Sequence, residues 1–237
     1  MRTYLMLFCF VFFLNGCGVI DYYFLTPPDD TAQELFENAR SYMAEKDYPK
    51  AIDSLSKLND RYPFSPYAVQ ARMMLGDAYF LDAQYIEAVD VYEEFLSLHP
   101  RHESIDYVLF QIGVSKYKSH RSIDLPQTEL TEAVEILRRL VDGFPQSSYR
   151  EEAIVYIGKC RKLMAEHEMF VADFYFKSKS YQSAWTRYTY IVDNFSDVPE
   201  VFELAKSKAK VAFYYAQQKD NDTIRHPSKF RSFFDWL

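Results

Sequence analysis

The sequence predicts an all-α protein in which helical hairpins stack one after another along the chain. Apolar, small and proline residues recur with a period of about 34 to 37 residues, which is typical of arrays of helix pairs. Only six glycines occur in 237 residues, and Gly76, Gly113 and Gly158 lie inside apolar-periodic segments. Tight glycine turns of the β-hairpin type therefore have little support, and helix is favoured.

The clearest repeat runs from Val69 to His102. It matches the tetratricopeptide pattern at Leu75, Gly76, Tyr79, Ala88, Tyr92 and Pro100. Small residues on both helices let the two backbones approach, and large residues fill the gaps beside them. Proline then ends the second helix. The sequence therefore predicts a tetratricopeptide-repeat superhelix, an α-solenoid of about five helix pairs.

Neighbouring segments repeat this spacing. Ala51 to Pro63 has the same length as Ala88 to Pro100, and Ala133 to Pro145 repeats it again. Before Ala133, the first helix of the third repeat carries Gly113. This third repeat has about eight extra residues between its helices, around His120 to Thr128, which predicts a protruding loop and a candidate contact surface.

The fourth repeat begins with a long apolar-periodic run, Tyr149 to about Lys177, and continues with a second helix from Tyr181 to Asn194. Val201 to Gln217 predicts a further helix. In Pro227 to Leu237, apolar residues stand at i, i+3, i+4 and i+7, namely Phe230, Phe233, Phe234 and Leu237. Ten helices in five pairs are expected. The terminal stripe either seals the open end of the array or engages a partner, with sealing preferred.

Residues 1–16 are predicted to be an export signal, with Arg2 as its positive residue and Leu5 to Leu14 as its apolar core. A membrane-spanning helix needs about 20 apolar residues, so this segment is too short to span. The following Leu14-Asn15-Gly16-Cys17 resembles the bacterial lipobox, whose cysteine becomes lipidated. The alternative is an ordinary secretory signal with an incidental cysteine, which the lack of a nearby A-x-A-like site opposes.

Residues 17–30 are interpreted as a lipidated N-terminus and a short linker, stiffened by Pro27-Pro28. Acyl chains on Cys17 would hold the protein permanently on a membrane, because each buried methylene contributes about 0.8 kcal/mol. Gly18 follows the cysteine, where an Asp would resemble an inner-membrane retention signal. The predicted location is therefore the outer membrane, with the body of the protein facing the periplasm.

Two longer stretches carry a more specific likeness. "RYPFSPYAVQARMMLGDAYF" from Arg61 to Phe80 and "HPRHESIDYVLFQIG" from His99 to Gly113 resemble the BamD family, the tetratricopeptide lipoproteins of the β-barrel assembly machinery. The resemblance covers roughly residues 14–218. It implies a non-enzymatic scaffold in which residues 31–147, repeats 1 to 3, form a groove for client peptides. Residues 148–237, repeats 4 and 5, would form the end that binds BamA.

The resemblance implies several partners: BamA through a periplasmic POTRA domain, other Bam lipoproteins, unfolded outer-membrane proteins, and membrane lipid through the anchor. Arg187 matches an arginine of the family's fourth-pair second helix, near the BamA-facing end. The alternative role for Arg187 is a surface or inter-helix ion pair. The tail after Lys219 departs from the family pattern, so contacts of the last helix do not carry over.

In tetratricopeptide arrays the first helix of each pair lines the concave face. Aligning the repeats predicts a peptide-binding set of mixed aromatic, Met and polar residues: Phe36, Arg40, Met43, Gln70, Met73, Asp77, Phe80, Tyr107, Phe110, Val114 and Tyr117. Such a mixture suits an extended peptide that ends in aromatic residues. The alternative, that several of these side chains merely pack against adjacent helices, stays open for each of them.

Other classes of function find less support. The net charge is −7 and no dense Lys/Arg block occurs, so nucleic acid is not an expected partner. The five histidines are scattered, no catalytic motif or phosphate-binding glycine loop appears, and Cys160 reads as a small core residue. Neither an enzyme, a metal site nor a cofactor is expected, apart from the covalent lipid on Cys17. The main alternative is a pilotin-type tetratricopeptide lipoprotein for secretin or pilus assembly.

Overall fold

A computed structural model describes residues 30–225, with side chains described from Asp30 to Lys219. Several predictions concern residues outside this range and stay predictions: the signal segment, lipidation of Cys17, the linker up to residue 29, and the terminal stripe from Phe230 to Leu237. The tenth predicted helix belongs to that last segment.

The described chain is a succession of α-helices without a strand. Their bounds are α1 Ala32–Glu45, α2 Tyr48–Arg61, α3 Ala68–Leu81, α4 Tyr85–Leu98, α5 Ile105–Ser119, α6 Thr128–Gly143, α7 Arg150–Lys177, α8 Tyr181–Asn194 and α9 Pro199–Arg225. Each helix packs against the next one in the chain, and α7 also contacts α5 and α9. The predicted all-α class and its tetratricopeptide-like helical repeats are confirmed.

Short turns connect the two helices of most pairs. In three of them one residue adopts the left-handed conformation, with φ of 61° at Lys46 and 60° at both Ala83 and Lys179. The second helix begins two residues later in each case, at Tyr48, Tyr85 and Tyr181. The third pair departs from this pattern, since residues 120–127 separate α5 from α6.

Close helix contacts occur where the small residues were predicted to allow them. Gly76 of α3 lies against the ring of Tyr92 on α4, and Gly113 of α5 lies against Leu137 on α6. In the first and fourth pairs, alanine takes the place of glycine at Ala39 and at Ala172, and both alanines are fully buried. In the second and third pairs the glycine on the first helix therefore faces a large side chain on the second, as the repeat pattern requires.

The fourth pair ends without the expected proline, because Ser196 occupies that place. An arginine from α7, the first helix of this pair, stabilises this turn instead. Arg161 of α7 donates to the carbonyl oxygen of Asn194 at 2.6 Å and to Asp197 Oδ1 at 2.6 Å. Its guanidinium also lies 5.0 Å from the ring centroid of Phe195. A charged clamp thus replaces proline as the feature that defines this turn.

Candidate functional site

The predicted peptide-binding residues lie on α1, α3 and α5, the first helices of the three N-terminal pairs. Two contacts connect these helices along one surface, which we call the first-helix face. The ring of Phe36 on α1 stacks on Tyr67, the residue preceding α3, with centroids 5.1 Å apart. Asp77 of α3 accepts a hydrogen bond from Tyr107 of α5. The structure therefore places the predicted residues on the first helices of three successive pairs, which side-chain contacts connect.

The predicted residues differ in exposure. Arg40 and Gln70 are exposed, and the half-buried members are Met43, Met73, Asp77, Phe80, Tyr107 and Tyr117. Phe36, Phe110 and Val114 are buried, with 6%, 8% and 2% of their surfaces exposed. For these three the packing alternative describes what the structure shows. These three side chains pack beneath the surface of the first-helix face. They leave a bound peptide little side-chain surface to contact.

Aromatic packing partners explain the burial of Phe110 and the half-burial of Tyr117. Phe110 stacks on Tyr149, with ring centroids 5.2 Å apart, and meets Tyr156 edge-on at 6.0 Å. Tyr117 also meets Tyr156, at 5.3 Å. Because Tyr149 and Tyr156 belong to the fourth repeat, this aromatic cluster fixes α5 relative to α7.

Asp77 is the centre of a hydrogen-bond network on the first-helix face. The hydroxyls of Tyr92 and Tyr107 each donate to Asp77 Oδ1 at 2.5 Å. Gln111 Nε2 donates to the hydroxyl oxygen of Tyr107 at 2.8 Å. Burial raises the pKa of the Asp77 carboxyl, and the hydrogen bonds from Tyr107 and Tyr92 partly oppose that rise. The sequence pointed to Asp77 and Tyr107, but not to their bond.

Aromatic surface continues next to this network. Phe80 meets Tyr85 edge-on, with centroids 5.6 Å apart. Lys118 Nζ of α5 lies 5.4 Å from the Phe80 ring centroid and 5.5 Å from that of Tyr85. The Phe80 ring, three residues after Asp77 on α3, thus lies next to an ammonium group of α5, which suits a peptide with both apolar and charged residues.

A second Asp–Tyr pair occurs in the C-terminal half. Tyr188 of α8 donates to Asp173 Oδ1, and Lys208 Nζ of α9 binds both carboxylate oxygens of Asp173, at 2.7 and 2.8 Å. A cavity of about 240 Å³ is lined by these three residues together with Phe176, Lys177 and Val211. This site was not predicted from the sequence. The only available signal was that Tyr follows Asp by fifteen residues in both pairs.

Arg187, the predicted partner-binding residue, lies on α8 and pairs with Glu168 of α7, its Nη1 being 2.9 Å from Glu168 Oε2. The arginine side chain is 46% exposed and the glutamate side chain 17%. The ion-pair alternative is therefore present in the fold. Nearly half of the arginine side chain still faces solvent.

The extra residues of the third repeat form one wall of a larger cavity of about 590 Å³, lined by Ile86, Lys116, Leu125 and Glu129 among others. Inside it, Lys116 Nζ lies 2.7 Å from Glu132 and 3.1 Å from Glu93. The spacing of the third repeat predicted the loop, but it did not indicate this ion-pair network.

One exposed aromatic residue was not predicted as a site from the sequence. Phe64, in the turn between α2 and α3, is 99% exposed. It belongs to the "RYPFSPY" stretch that carried the family resemblance, so the signal was present although no role was assigned. Such complete exposure of a phenylalanine indicates that it does not stabilise the fold of the single chain.

No metal site is found between Asp30 and Lys219, the part of the chain whose side chains are described. This part of the chain brings together no three His, Cys, Asp or Glu side chains that could hold a metal ion. His99 and His102, which stand close in sequence, both pack on the ring of Phe95, at 5.1 and 5.2 Å. None of the described helices combines the length and the apolar character needed to cross a membrane.

Several known proteins of the same name are similar in sequence to this chain. The chain is similar to the outer membrane protein assembly factor BamD of Neisseria meningitidis serogroup A, with 26% identity over 203 residues, covering 80% of this chain and 76% of that protein. The protein of the same name from Rickettsia prowazekii is 27% identical over 161 residues, covering 68% of this chain and 64% of that protein. The crystal structure of MamA protein aligns with 83% of this chain and 96% of its own, at 14% identity. The TM-score of this alignment is 0.40.

A family model described as an outer membrane lipoprotein, YfiO, matches residues 28–226. This match includes all nine described helices and therefore both Asp–Tyr pairs, Arg187 and the first-helix face. The chain belongs to the YfiO family of outer membrane lipoproteins.

Proposed function

We propose that the protein is a lipid-anchored scaffold of the outer membrane that takes part in assembling outer-membrane β-barrel proteins. The observation that carries this proposal is the family match over residues 28–226, together with relatives that are named outer membrane protein assembly factors. A scaffold works through surfaces and needs no reacting group. The helical repeats provide an extended series of such surfaces.

The protein is attached at both ends, to the membrane by its N-terminus and to BamA by its C-terminal repeats. A lipid on Cys17 holds the N-terminus on the outer membrane, and the short linker keeps the repeats close to it in the periplasm. The C-terminal repeats bind BamA through one of its POTRA domains, with Arg187 among the contacts, and other Bam lipoproteins complete the complex. The half-exposed guanidinium of Arg187 can accept a second carboxylate while it stays paired with Glu168.

Clients bind on the first-helix face. Its accessible members, notably Gln70, Met73, Phe80 and Tyr107, combine apolar surface with hydrogen-bonding groups. Flexible Met and flat aromatic side chains accommodate varied apolar side chains, and the polar groups orient the backbone of an extended peptide. Unfolded barrel proteins, whose strands alternate apolar and polar residues, have this chemistry.

Site-specific photocrosslinking tests the client surface. A photoreactive phenylalanine analogue at Phe80 should capture unfolded outer-membrane protein, whereas the same analogue at Glu87, exposed on the second helix α4, should not. Equal capture from both positions, or capture from Glu87 alone, would reject the first-helix face as the client site.

Affinity purification from detergent-solubilised envelope tests the partner. Recovery of BamA supports the assembly scaffold, whereas recovery of a secretin without BamA would support a pilotin-type role instead. Arg187→Ala should reduce the recovered BamA. Glu168→Ala is the matched control, because it removes the same ion pair but leaves the arginine. An equal loss from both variants would show that the ion pair matters only for the fold.

A further inference from the structure

The two Asp–Tyr pairs occupy equivalent places in the array. Asp77 and Asp173 lie on the first helices α3 and α7, and each accepts a hydrogen bond from a tyrosine fifteen residues later on the second helix. The residue before each aspartate is small and buried, Gly76 in one pair and Ala172 in the other. Each aspartate also contacts the helix that begins the next repeat, α5 for Asp77 and α9 for Asp173.

The third partner distinguishes the two sites. Asp173 receives an ammonium group, because Lys208 binds both of its oxygens. Asp77 receives a neutral hydroxyl from Tyr107 in place of a cation. Two lysines of the neighbouring helix α5 are engaged elsewhere, Lys116 with Glu93 and Glu132 and Lys118 over the rings of Phe80 and Tyr85. Among the described side chains, no cation forms an ion pair with Asp77.

One oxygen of Asp77 is still free to accept a partner. Both tyrosine hydroxyls donate to Oδ1, and no donor of the described chain reaches Oδ2. Oδ2 is not fully enclosed either, since the buried polar atoms without a partner among the described residues do not include it. The charge of a half-buried carboxylate without a cation is not compensated, and the open oxygen can accept a hydrogen bond from a cationic group.

We propose that Asp77 binds a lysine or arginine side chain of an extended peptide lying across α3 and α5, and that Lys208 fills the equivalent position at Asp173 from within the chain. This subsite deepens the client-binding role and rests on the proposed function. Met73 and Phe80 flank Asp77 on the same stripe of α3, and their apolar surfaces suit the alkyl stem of a basic side chain.

The test compares two short fluorescent peptides on the full-length protein. Both alternate apolar and polar residues and end in phenylalanine; one carries a central lysine and its twin carries norleucine there. Wild-type protein should bind the lysine peptide about fivefold more tightly, as expected for a partly screened ion pair. Asp77→Asn should remove this preference, so that the lysine and norleucine peptides bind the variant with equal affinity. Asp173→Asn is the matched control, and it should keep the preference.

A second variant covers the case in which Asp77→Asn fails to fold. Tyr107→Lys would supply an internal ammonium at the position that Lys208 takes in the other pair, and it too should remove the lysine preference. A preference that persists in these variants, or equal binding of both peptides to the wild type, would overturn the subsite while leaving client binding intact. If the wild type binds neither peptide, the subsite is rejected, and crosslinking from Phe80 decides separately whether clients use this face.

Discussion

Gly76 lies so close to the ring of Tyr92 that a Cβ atom on residue 76 would stand 2.5 Å from Tyr92 Cε1. The residue next to Gly76 is Asp77, which binds the hydroxyl of the same tyrosine. The close approach of α3 and α4 therefore also sets the geometry of the Asp77 network. Packing of the repeat and construction of the candidate site depend on the same pair of helices.

Substitution of Gly76 by alanine is expected to destabilise the protein by about 1 to 3 kcal/mol, because the ring of Tyr92 is buried and must shift. Gly158→Ala is the matched control: Gly158 also lies within a helix, but a Cβ there meets nothing within 4 Å. Its alanine variant should gain about 0.5 to 1 kcal/mol from helix propensity. Urea unfolding measures both, and a Gly76→Ala midpoint at or above that of the wild type would contradict the close contact.

Asp77 should make the stability of the protein depend on pH. Burial raises the pKa of its carboxyl in the folded state, so the stability it contributes is present below the unfolded pKa of about 3.9 and is lost as pH rises through the folded pKa. The side chains that bond it, Tyr92 and Tyr107, do not titrate there, because burial raises their pKa values further. Asp77→Asn should gain stability relative to the wild type between pH 4 and neutral pH, measured as free energy of unfolding. A relative loss over that interval would refute this assignment.

The Arg161–Asp197 pair should act with the opposite sign. The hydrogen bond from Arg161 lowers the pKa of Asp197, so its stabilisation is present above the unfolded pKa and is lost as pH falls through the folded pKa. Arg161→Met should cost about 1 to 2 kcal/mol at neutral pH, the half-exposed carboxylate limiting the effect. Lys162→Met is the control, since the neighbouring Lys162–Glu200 pair is exposed on both sides and should contribute nothing measurable. Equal melting temperatures for the two variants would show that the turn clamp is unimportant.

The thiol of Cys160 should resist modification while the protein is folded. Its side chain is fully buried, and burial raises its pKa to about 12, so almost no thiolate exists at pH 8. In a variant with Cys9 and Cys17 replaced by serine, a thiol reagent should react only after urea unfolding. Rapid reaction below the unfolding transition would mean that α7 opens locally from Leu130 and Val134, which pack beside Cys160.

Lipidation is expected at Cys17, and mass spectrometry of protein purified from membranes should find a diacylated, N-acylated cysteine as the first residue. Cys17→Ser should appear in the soluble periplasmic fraction, because the acyl chains supply the attachment. Cys9→Ser is the control and should leave membrane attachment unchanged. An unmodified Cys17, or a serine variant that stays on the membrane, would contradict the lipid anchor.

The repeat architecture could be predicted because its cause is local. Spacing of small, large and proline residues determines where each helix lies and which face packs on its partner, and this pattern is visible in Ala51 to Pro63 and in Ala88 to Pro100. The eight residues that separate α5 from α6 were visible in the same way. A turn without proline at Ser196 was also visible, but the clamp from Arg161 was not, because that arginine lies 36 residues before Asp197.

The candidate site was predicted less completely, for a physical reason. Repeat alignment assigns a residue to the first helix of a pair, but burial depends on which side chain the next repeat brings over it. Phe36 and Phe110 are covered by Tyr67 and Tyr149 and cannot be told from accessible positions by spacing alone. Phe80 and Phe110 both fit the repeat pattern of a first helix, but Phe80 is half-buried and Phe110 is buried.

By itself the sequence determined the helical repeat, the length of its connections, the membership of Asp77 in the first-helix stripe and the N-terminal lipobox pattern, since each follows from neighbours along the chain. Only the tertiary structure decided which aspartate has a cation and which does not. Tyr107 and Lys208 reach their aspartates across 30 and 35 residues of chain. Helix stacking, which no short segment encodes, sets that pairing.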